Sequence, residues 1–168
     1  MASKIHLRSL QPKDAAGMLE WMTDPKIIQF FRFDASKVTE ESCLAFIAAA
    51  SQQKNCRHWA IADENDTYLG TISLKEITAS NAEYAISTRS CAHGTGAAME
   101  ATRQVLAIAF EALGLSRVYL NVLADNGRAN AFYVKAGFRF THTEKDAVAI
   151  RGEMKNLNWY EYTAPVGA

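Results

Sequence analysis

The sequence predicts an α/β protein that forms a single domain. Its 168 residues are enough to bury one sizeable core. Strand and helix patterns share the whole chain, and no repeat, low-complexity segment or Pro/Gly/Ser-rich linker divides it. The segment from Glu83 to Val122 predicts a strand, a glycine turn, an amphipathic helix and a second strand. The remaining elements are expected to assemble around this unit.

The first half of the chain predicts one strand, two helices and a hairpin. Proline disfavours the helical conformation in the residue before it, so Asp24-Pro25 should end the first helix. The inner face of that helix carries Met18, Leu19 and Met22. The predicted elements are a strand at 5–9, a helix at 11–24, an irregular aromatic segment at 26–38, a helix at 39–53, and strands at 58–63 and 68–76.

The second half predicts helices that alternate with strands. Apolar residues recur at spacings of three and four after the glycine turn, which gives one helix face, and Gly114 is a stop signal. Gly152 is expected to bend or interrupt the last strand. The predicted elements are a strand at 81–87, a helix at 98–113, a strand at 117–122, a helix from Asn126, and strands at 139–144 and 148–158.

The glycine turn is His93-Gly94-Thr95-Gly96-Ala97-Ala98, and it opens directly onto a helix. Unpaired N–H groups at a helix N-terminus suit a bound phosphate, and glycine lets the phosphate approach them. A Walker loop is a weak interpretation, because Ala97-Ala98 follows Gly96 where Lys-Ser/Thr is needed. A dinucleotide fingerprint is also weak, because Met99 replaces its small third residue. A purely structural turn remains the alternative.

Two patterns together resemble the GCN5-related N-acetyltransferase (GNAT) family. His93, Gly96 and Ala98 are similar to the family's acetyl-CoA pyrophosphate loop, although the family usually has Arg or Gln at the first position. The segment from Asn126 to Phe138 is similar to the second family signature, with Tyr133 in place before a closing Gly-Phe. Both patterns stand in the family's order, about 30 residues apart.

The resemblance implies a GNAT fold, in which a central mixed β-sheet is splayed at its middle and flanked by helices on both faces. It implies that residues 1–168 are one N-acetyltransferase domain. It also implies that acetyl-CoA, the co-substrate, binds in the splay between the fourth and fifth strands. A primary amine then attacks the thioester directly in a ternary complex. Such a reaction needs a base for the amine, donors to the carbonyl oxygen and a proton donor to the leaving thiolate.

Tyr133 and Glu83 are the candidate catalytic residues. Tyr133 matches the family position that directs a hydroxyl at the coenzyme sulfur, and the alternative is a ring that only packs on the sheet. Glu83 lies on the strand that borders the acceptor site, where it is a candidate base acting directly or through water. Its alternative role is a surface carboxylate or a partner for Arg103 or Arg117. Cys91 has no Cys/His/Asn arrangement around it and is expected to be passive.

Coenzyme contacts are expected from the turn, the strand before it and the helix after the fifth strand. Asn126 matches the family's coenzyme-contacting asparagine and is also a preferred helix N-cap. Arg128 reaches a coenzyme phosphate or is a solvated helix residue. Main-chain N–H groups of the strand before the turn are candidate donors to the carbonyl oxygen. The candidate coenzyme-binding residues are Ile86, Ser87, His93, Gly94, Thr95, Gly96, Ala97, Ala98, Asn121, Asn126 and Arg128.

The composition argues against several other classes. Net charge is zero, with 21% charged residues and no Lys/Arg run, which gives no footprint for nucleic acid. No secretory signal or bilayer-spanning apolar run is present, so no membrane partner is expected. Three scattered cysteines predict reduced thiols in a cytoplasmic protein. Four scattered histidines predict no metal site. We expect a monomer or homodimer.

The acceptor is expected to be selected by the N-terminal third. That part resembles the subgroups that acetylate ribosomal-protein N-termini and nucleotide-linked amino sugars. Glu76 and the aromatic segment near Phe31 are candidates for shaping the acceptor pocket. Two other classes stay open: a non-catalytic acyl-CoA-binding module, against which Tyr133 argues, and a domain that has lost coenzyme binding, for which His93 is the one hint.

Overall fold

A computed structural model describes residues 4–165. Seven strands form one sheet in the order β1-β2-β3-β4-β5-β7-β6, in which β4 and β5 are parallel and the other neighbours antiparallel. The strands are β1 (Ile5–Ser9), β2 (Arg57–Asp63), β3 (Tyr68–Lys75), β4 (Asn81–Thr88), β5 (Arg117–Leu123), β6 (Arg139–Ile150) and β7 (Glu153–Thr163). The helices are α1 (Ala15–Met22), α2 (Pro25–Ile28), α3 (Glu40–Ala50), α4 (Ala97–Ala107) and α5 (Gly127–Lys135). Within residues 4–165, no helix has the length and hydropathy needed to cross a bilayer.

Each face of the sheet packs against its own helices, because successive side chains of a strand point to opposite faces. On β2, Ala60 packs with α1 and α3, whereas its neighbour Ile61 packs in the cluster that contains α4 and α5. Ile61, Ile72 and Leu74 are completely buried in the cluster that contains α4 and α5. Burial of one such side chain stabilises the fold by about 1.5–3 kcal/mol. The predicted mixed sheet with helices on both faces is confirmed.

The sheet opens between β4 and β5. These strands pair over three residues each, from Asn81 opposite Arg117 to Glu83 opposite Tyr119. Both strands continue beyond that point without pairing to each other. β4 stays paired with β3 as far as Thr88, and β5 stays paired with β7 to its end. Each half of the sheet is therefore regular, and the predicted splay lies between them.

The segment predicted to be irregular contains the short helix α2, which corrects that prediction. Asp24-Pro25 ends α1 as predicted, but Asp24 also caps α2, since its carboxylate accepts the N–H of Lys26 at 3.0 Å. Proline is favourable at the first position of a helix, which the prediction did not weigh. α3 is capped by Thr39 as predicted, but it ends at Ala50 rather than near Gln53.

The predicted break between the last two strands lies in the wrong place. β6 continues to Ile150, with a bulge near Asp146 where the sequence predicted the turn. The chain reverses at Arg151-Gly152, whose φ angles are 50° and 81°. Positive φ at both central residues defines the two-residue turn that matches the twist of a β-hairpin. Gly152 is therefore part of the hairpin turn and not of the last strand.

Asn130 fixes α5 to the sheet. Its Nδ2 donates to the main-chain oxygens of Leu123 at 3.0 Å and Asn126 at 2.8 Å. Its Oδ1 accepts from Nδ2 of Asn158 at 2.9 Å and from the hydroxyl of Tyr160 at 2.7 Å. The side-chain amide of Asn130 thus joins α5 to the end of β5 and to β7. Its Nδ2 donates two hydrogen bonds and its Oδ1 accepts two.

We expect Asn130→Ala to lower the free energy of unfolding by about 2–4 kcal/mol, because several part-buried groups lose their partner at once. Urea denaturation followed by circular dichroism measures the change. The control is Asn65→Ala, at an exposed turn position, which should change stability by less than about 0.5 kcal/mol. Equal stability of the two variants would contradict the anchoring role.

Candidate active site

A cleft of about 400 Å³ lies where β4 and β5 part. Its walls come from the edges of both strands, the beginnings of α4 and α5, and the segment that follows α1. The predicted site residues in the lining are Glu83, Ile86, Ser87, His93, Ala98, Asn121, Asn126, Arg128 and Tyr133. The remaining ones, Gly94, Thr95, Gly96 and Ala97, form the turn between His93 and Ala98.

Tyr133 stands on α5 with its ring buried and its side chain in the cleft lining. The ring meets those of Tyr84 and Phe138 edge-on, with centroids 5.9 Å from each. Burial raises the pKa of Tyr133 to about 12. The ring therefore packs on the core while the side chain also reaches the cleft.

The glycine turn is shaped by two residues in the left-handed region. Gly94 has φ 77° and Gly96 has φ 85°, conformations that residues with a Cβ rarely adopt. The Thr95 hydroxyl donates to the main-chain oxygen of Ala92 at 2.6 Å and accepts the N–H of Ala97 at 3.2 Å. No group in residues 4–165 accepts from the N–H groups of Gly94 and Gly96. Free N–H groups at a helix N-terminus form the arrangement that binds phosphate.

His93 pairs with Arg128 across the mouth of the cleft. Nη1 of Arg128 lies 3.0 Å from Nδ1 of His93. Burial, and then the positive charge of Arg128, lower the pKa of His93, while Asp24 opposes the shift. A neutral imidazole accepts the hydrogen bond from the guanidinium, so the positive charge at this position comes from α5. His93, where the GNAT family usually has Arg or Gln, thus has a structural role as the hydrogen-bond partner of Arg128.

The backbone of β4 presents unpaired groups to the cleft. The N–H of Arg89 donates to Leu69 on the β3 side at 2.8 Å, and the oxygen of Ser80 accepts from Arg117 on the β5 side at 3.1 Å. Main-chain groups of successive strand residues point to alternate sides. The main-chain N–H and C=O groups of the even-numbered residues of β4 therefore point toward β5. The N–H of Ile86 lies beyond the last paired residue and so points into the opening.

Glu83 occupies the closed end of the cleft. Its Oε1 accepts from Nδ2 of Asn121 at 3.2 Å, and its Oε2 lies 3.4 Å from Nζ of Lys75. The partners considered from the sequence, Arg103 and Arg117, pair with other carboxylates. Its side chain is 21% exposed, so Glu83 keeps access to the cleft while two neighbours hold it.

Sequence reasoning missed the cations Lys26, Arg32 and Lys75 in the lining. Their positions follow from tertiary packing of distant segments, so no local pattern marks them. Of the candidates for shaping the acceptor pocket, Phe30 and Phe31 of the aromatic segment line the cleft, whereas Glu76 does not.

None of the three cysteines lines the cleft, and the residues from 4 to 165 form no metal-binding cluster there. Cys43 is buried in the α1–α3 cluster, Cys56 is half-buried and Cys91 is exposed, and none of the three lines the cleft. Among residues 4–165, no group of three or more His, Cys, Asp or Glu side chains is arranged to hold a metal ion.

Comparison with known proteins identifies the family. Residues 4–139 match the family described as the acetyltransferase (GNAT) domain. The chain belongs to the GNAT family. It is 24% identical over 168 residues to the uncharacterized N-acetyltransferase YoaA of Bacillus subtilis (strain 168), covering 96% of this chain and 94% of that protein. Membership confirms the predicted family, enzyme class and acetyl-CoA co-substrate. It leaves the non-catalytic alternative without support.

Solved GNAT structures share the fold. The spermidine N-acetyltransferase of Vibrio cholerae in complex with CoA and spermine has a TM-score of 0.85 at 19% identity, with 95% of each chain covered. The microcin C7 self-immunity acetyltransferase MccE, in complex with acetyl-CoA and AMP, has a TM-score of 0.83 at 19% identity, with 96% of this chain and 93% of that chain covered. At these identities the likeness concerns the fold and not the acceptor.

Gly96→Glu should weaken acetyl-CoA binding by at least about 100-fold, roughly 2.7 kcal/mol. The substitution puts a Cβ and a negative charge beside the N–H groups that a phosphate would approach. Isothermal titration calorimetry measures the affinity. Gly114→Glu is the matched control, because Gly114 also has a positive φ, 67°, but lies at the far end of the helix. Unchanged affinity in a folded Gly96→Glu protein would refute the phosphate role of the turn.

Proposed function

We propose that this GNAT enzyme transfers the acetyl group of acetyl-CoA to a primary amine by direct attack in a ternary complex. One observation carries the proposal: β4 and β5 part beyond Glu83, which brings a glycine turn, an unpaired strand edge and Tyr133 to one cleft. No cysteine of residues 4–165 lines this cleft, which favours direct attack over an acyl-enzyme.

The glycine turn and α5 are the proposed site for the coenzyme pyrophosphate. Gly94 and Gly96 offer N–H groups at the positive end of α4, and Arg128 adds a permanent charge. Asn126 caps α5, since its side chain accepts the N–H of Ala129 at 3.3 Å, and its position in the lining supports a second role in coenzyme contact.

The unpaired edge of β4 is the proposed site for the acetyl group. The N–H of Ile86 is the candidate donor to the thioester oxygen, which gains negative charge as the amine attacks. A preorganised donor of this kind is typically worth about 2.7–4 kcal/mol of transition-state stabilisation. Main-chain donors are fixed by the fold, so this role does not depend on the side chain of residue 86.

Tyr133 is the proposed hydrogen-bond donor to the departing sulfur. A thiol has a pKa near 8.5, and burial raises that of Tyr133 to about 12. Complete proton transfer would then be uphill by roughly 5 kcal/mol. The hydroxyl instead donates a hydrogen bond while charge develops on sulfur, and it needs little reorganisation because its ring is fixed. The proton that finally reaches the thiolate comes from solvent or from the amine.

Glu83 is the proposed base. An alkylammonium has a pKa near 10 and must lose a proton before it attacks. Asn121 and Lys75 hold the carboxylate at the closed end of the cleft, on the strand that carries Ile86. A water molecule can relay the proton where the amine does not reach Glu83 itself.

The acceptor is proposed to be a small amine or a protein N-terminus. A protein N-terminus has a pKa near 8 and needs less help from a base than a lysine does. Nucleotide-linked amino sugars are the second candidate, and the aromatic residues Phe30 and Phe31 in the lining are able to stack on a planar or sugar ring. The protein is proposed to act in the cytoplasm as a monomer or homodimer.

We expect Tyr133→Phe to lower kcat by ~10²-fold with little change in acetyl-CoA affinity, because the ring stays and only the hydroxyl is lost. The measurement is coenzyme-thiol release from acetyl-CoA with a panel of amines, under conditions where chemistry limits the rate. The hydroxyl stays protonated below its pKa of about 12, so wild-type kcat should not fall between about pH 8 and 10.

Tyr68→Phe is the matched control for this variant. Tyr68 is also buried, with a pKa raised to about 12, but it does not line the cleft. Loss of the Tyr68 hydroxyl should change the stability of the protein and leave kcat close to that of the wild type. Undiminished kcat in Tyr133→Phe would show that the ring packs and the hydroxyl takes no part.

Glu83→Gln should lower turnover by ~10²-fold at neutral pH, with recovery as pH rises, because an amine that deprotonates in solution no longer needs the base. A pH–rate profile measures both effects. Glu76→Gln, one residue beyond β3 and outside the lining, is the control and should keep the wild-type profile. If the ratio of variant to wild-type turnover stayed constant across pH, Glu83 would be assigned a structural role.

A further inference from the structure

Permanent positive charge dominates the cleft lining. Lys26, Arg32, Lys75 and Arg128 line it, and Glu83 is the carboxylate among the lining residues. Lys26 and Arg32 make no ion pair with a carboxylate of residues 4–165. A concave site with uncompensated charge concentrates ligands of the opposite sign and repels those of the same sign.

Lys75 lies on the acceptor side of the cleft. It stands opposite Glu83 across β3 and β4, so the two side chains leave the same face of the sheet. Tyr84, the next residue of β4, points to the other face, where its ring contacts that of Tyr133. Lys75 therefore lies beside the proposed base and across the sheet from Tyr133.

The segment that carries Lys26 and Arg32 is anchored from three sides. Phe31 packs in the cluster beneath α1, and Phe30 packs on the cluster formed by β5, β6 and β7. Arg151 of the β6–β7 turn donates to two main-chain oxygens at the end of α2, at 3.1 and 3.3 Å. These contacts fix the main chain that places Lys26 and Arg32 at the cleft, while both side chains stay exposed and accessible to a ligand.

Resting on the proposed acetyl transfer to a primary amine, we propose that the acceptor also carries an anionic group, a phosphate or a carboxylate, which Lys26 and Arg32 bind. An arginine guanidinium matches both anions with two parallel hydrogen bonds. A polyamine would bring additional ammonium groups next to Lys26 and Arg32, where like charges repel. Although the fold is similar to that of a spermidine N-acetyltransferase, this cleft disfavours such an acceptor.

The test compares acceptors that differ by one anionic group. Coenzyme-thiol release is measured with phosphoethanolamine against ethanolamine, with β-alanine against β-alaninamide, and with spermidine as the polycation. We expect kcat/KM for at least one anionic acceptor to exceed that of its neutral partner by about 10-fold or more, as for one charge-assisted contact. Spermidine should be poorer than that anionic acceptor. The pair with the larger ratio distinguishes phosphate from carboxylate.

The double variant Lys26→Ala/Arg32→Ala assigns the preference to these side chains. Its ratio of anionic to neutral kcat/KM should fall to about 1, through a higher KM for the anionic acceptor, while acetyl-CoA affinity is retained. The matched control is Lys54→Ala/Arg57→Ala, which removes the same two charges from exposed positions outside the lining. That control should keep the wild-type ratio.

Three results would overturn the anionic acceptor alone: equal rates within both pairs, preference for spermidine, or a preserved ratio in Lys26→Ala/Arg32→Ala. A preserved ratio together with a loss of acetyl-CoA affinity would assign the two cations to the coenzyme. If acetyl-CoA binds but no amine increases thiol release, N-terminal peptides and amino-sugar nucleotides included, the proposed acetyl transfer itself fails, and the anionic acceptor fails with it.

Discussion

The separation of β4 from β5 is the constraint on which the rest of the site depends. Sheet interiors normally pair every main-chain N–H and C=O, and each buried group left unpaired costs about 1–3 kcal/mol. This fold interrupts one ladder after Glu83 and Tyr119 and keeps the ladders on both sides. The opening is stable because each half of the sheet has its own partners. The backbone groups that the fold leaves unpaired are then the groups that a ligand can bind.

The burial of Tyr133 has two opposed consequences. Aromatic contacts with Tyr84, Phe132, Phe138 and Tyr160 hold its ring, so the position of the hydroxyl is fixed before any ligand binds. The same burial removes solvent from the phenolate and raises its pKa to about 12. A group in this environment is well suited to donate a hydrogen bond and poorly suited to give up its proton. In the proposed mechanism this burial therefore favours stabilisation of a developing charge over full proton transfer.

The sequence predicted those parts of the site that depend on local chemistry. Asn126 caps its helix and the glycine turn opens directly onto α4, as predicted, because a few neighbouring residues specify both features. The order of the elements along the chain followed from periodicity, and the mixed sheet with helices on both faces followed from the family resemblance. The hairpin turn was misplaced because Arg151-Gly152 requires a positive φ at arginine, whereas the polar residues near Asp146 have the composition of a turn.

The sequence analysis did not predict contacts between distant segments. Arg128 and His93 are 35 positions apart, and Arg151 reaches Gln29 across 122 positions. The same holds for the partners of Glu83, since Lys75 and Asn121 lie on two different strands. Such pairs depend on sheet order and on side-chain direction, and neither leaves a local pattern.

The charges illustrate this difference most clearly. A net charge of zero gives no reason to expect a bias toward anions. In the folded chain, however, many carboxylates are used on outer surfaces, where Glu20 pairs with Arg89 and Asp125 pairs with Lys155. Exposed pairs of this kind contribute about 0–1 kcal/mol and largely cancel at a distance. In the cleft, Glu83 pairs with Lys75, whereas Lys26 and Arg32 pair with no carboxylate of residues 4–165. The excess of positive charge in the cleft is therefore a property of how the fold distributes its charges, and not of how many it has.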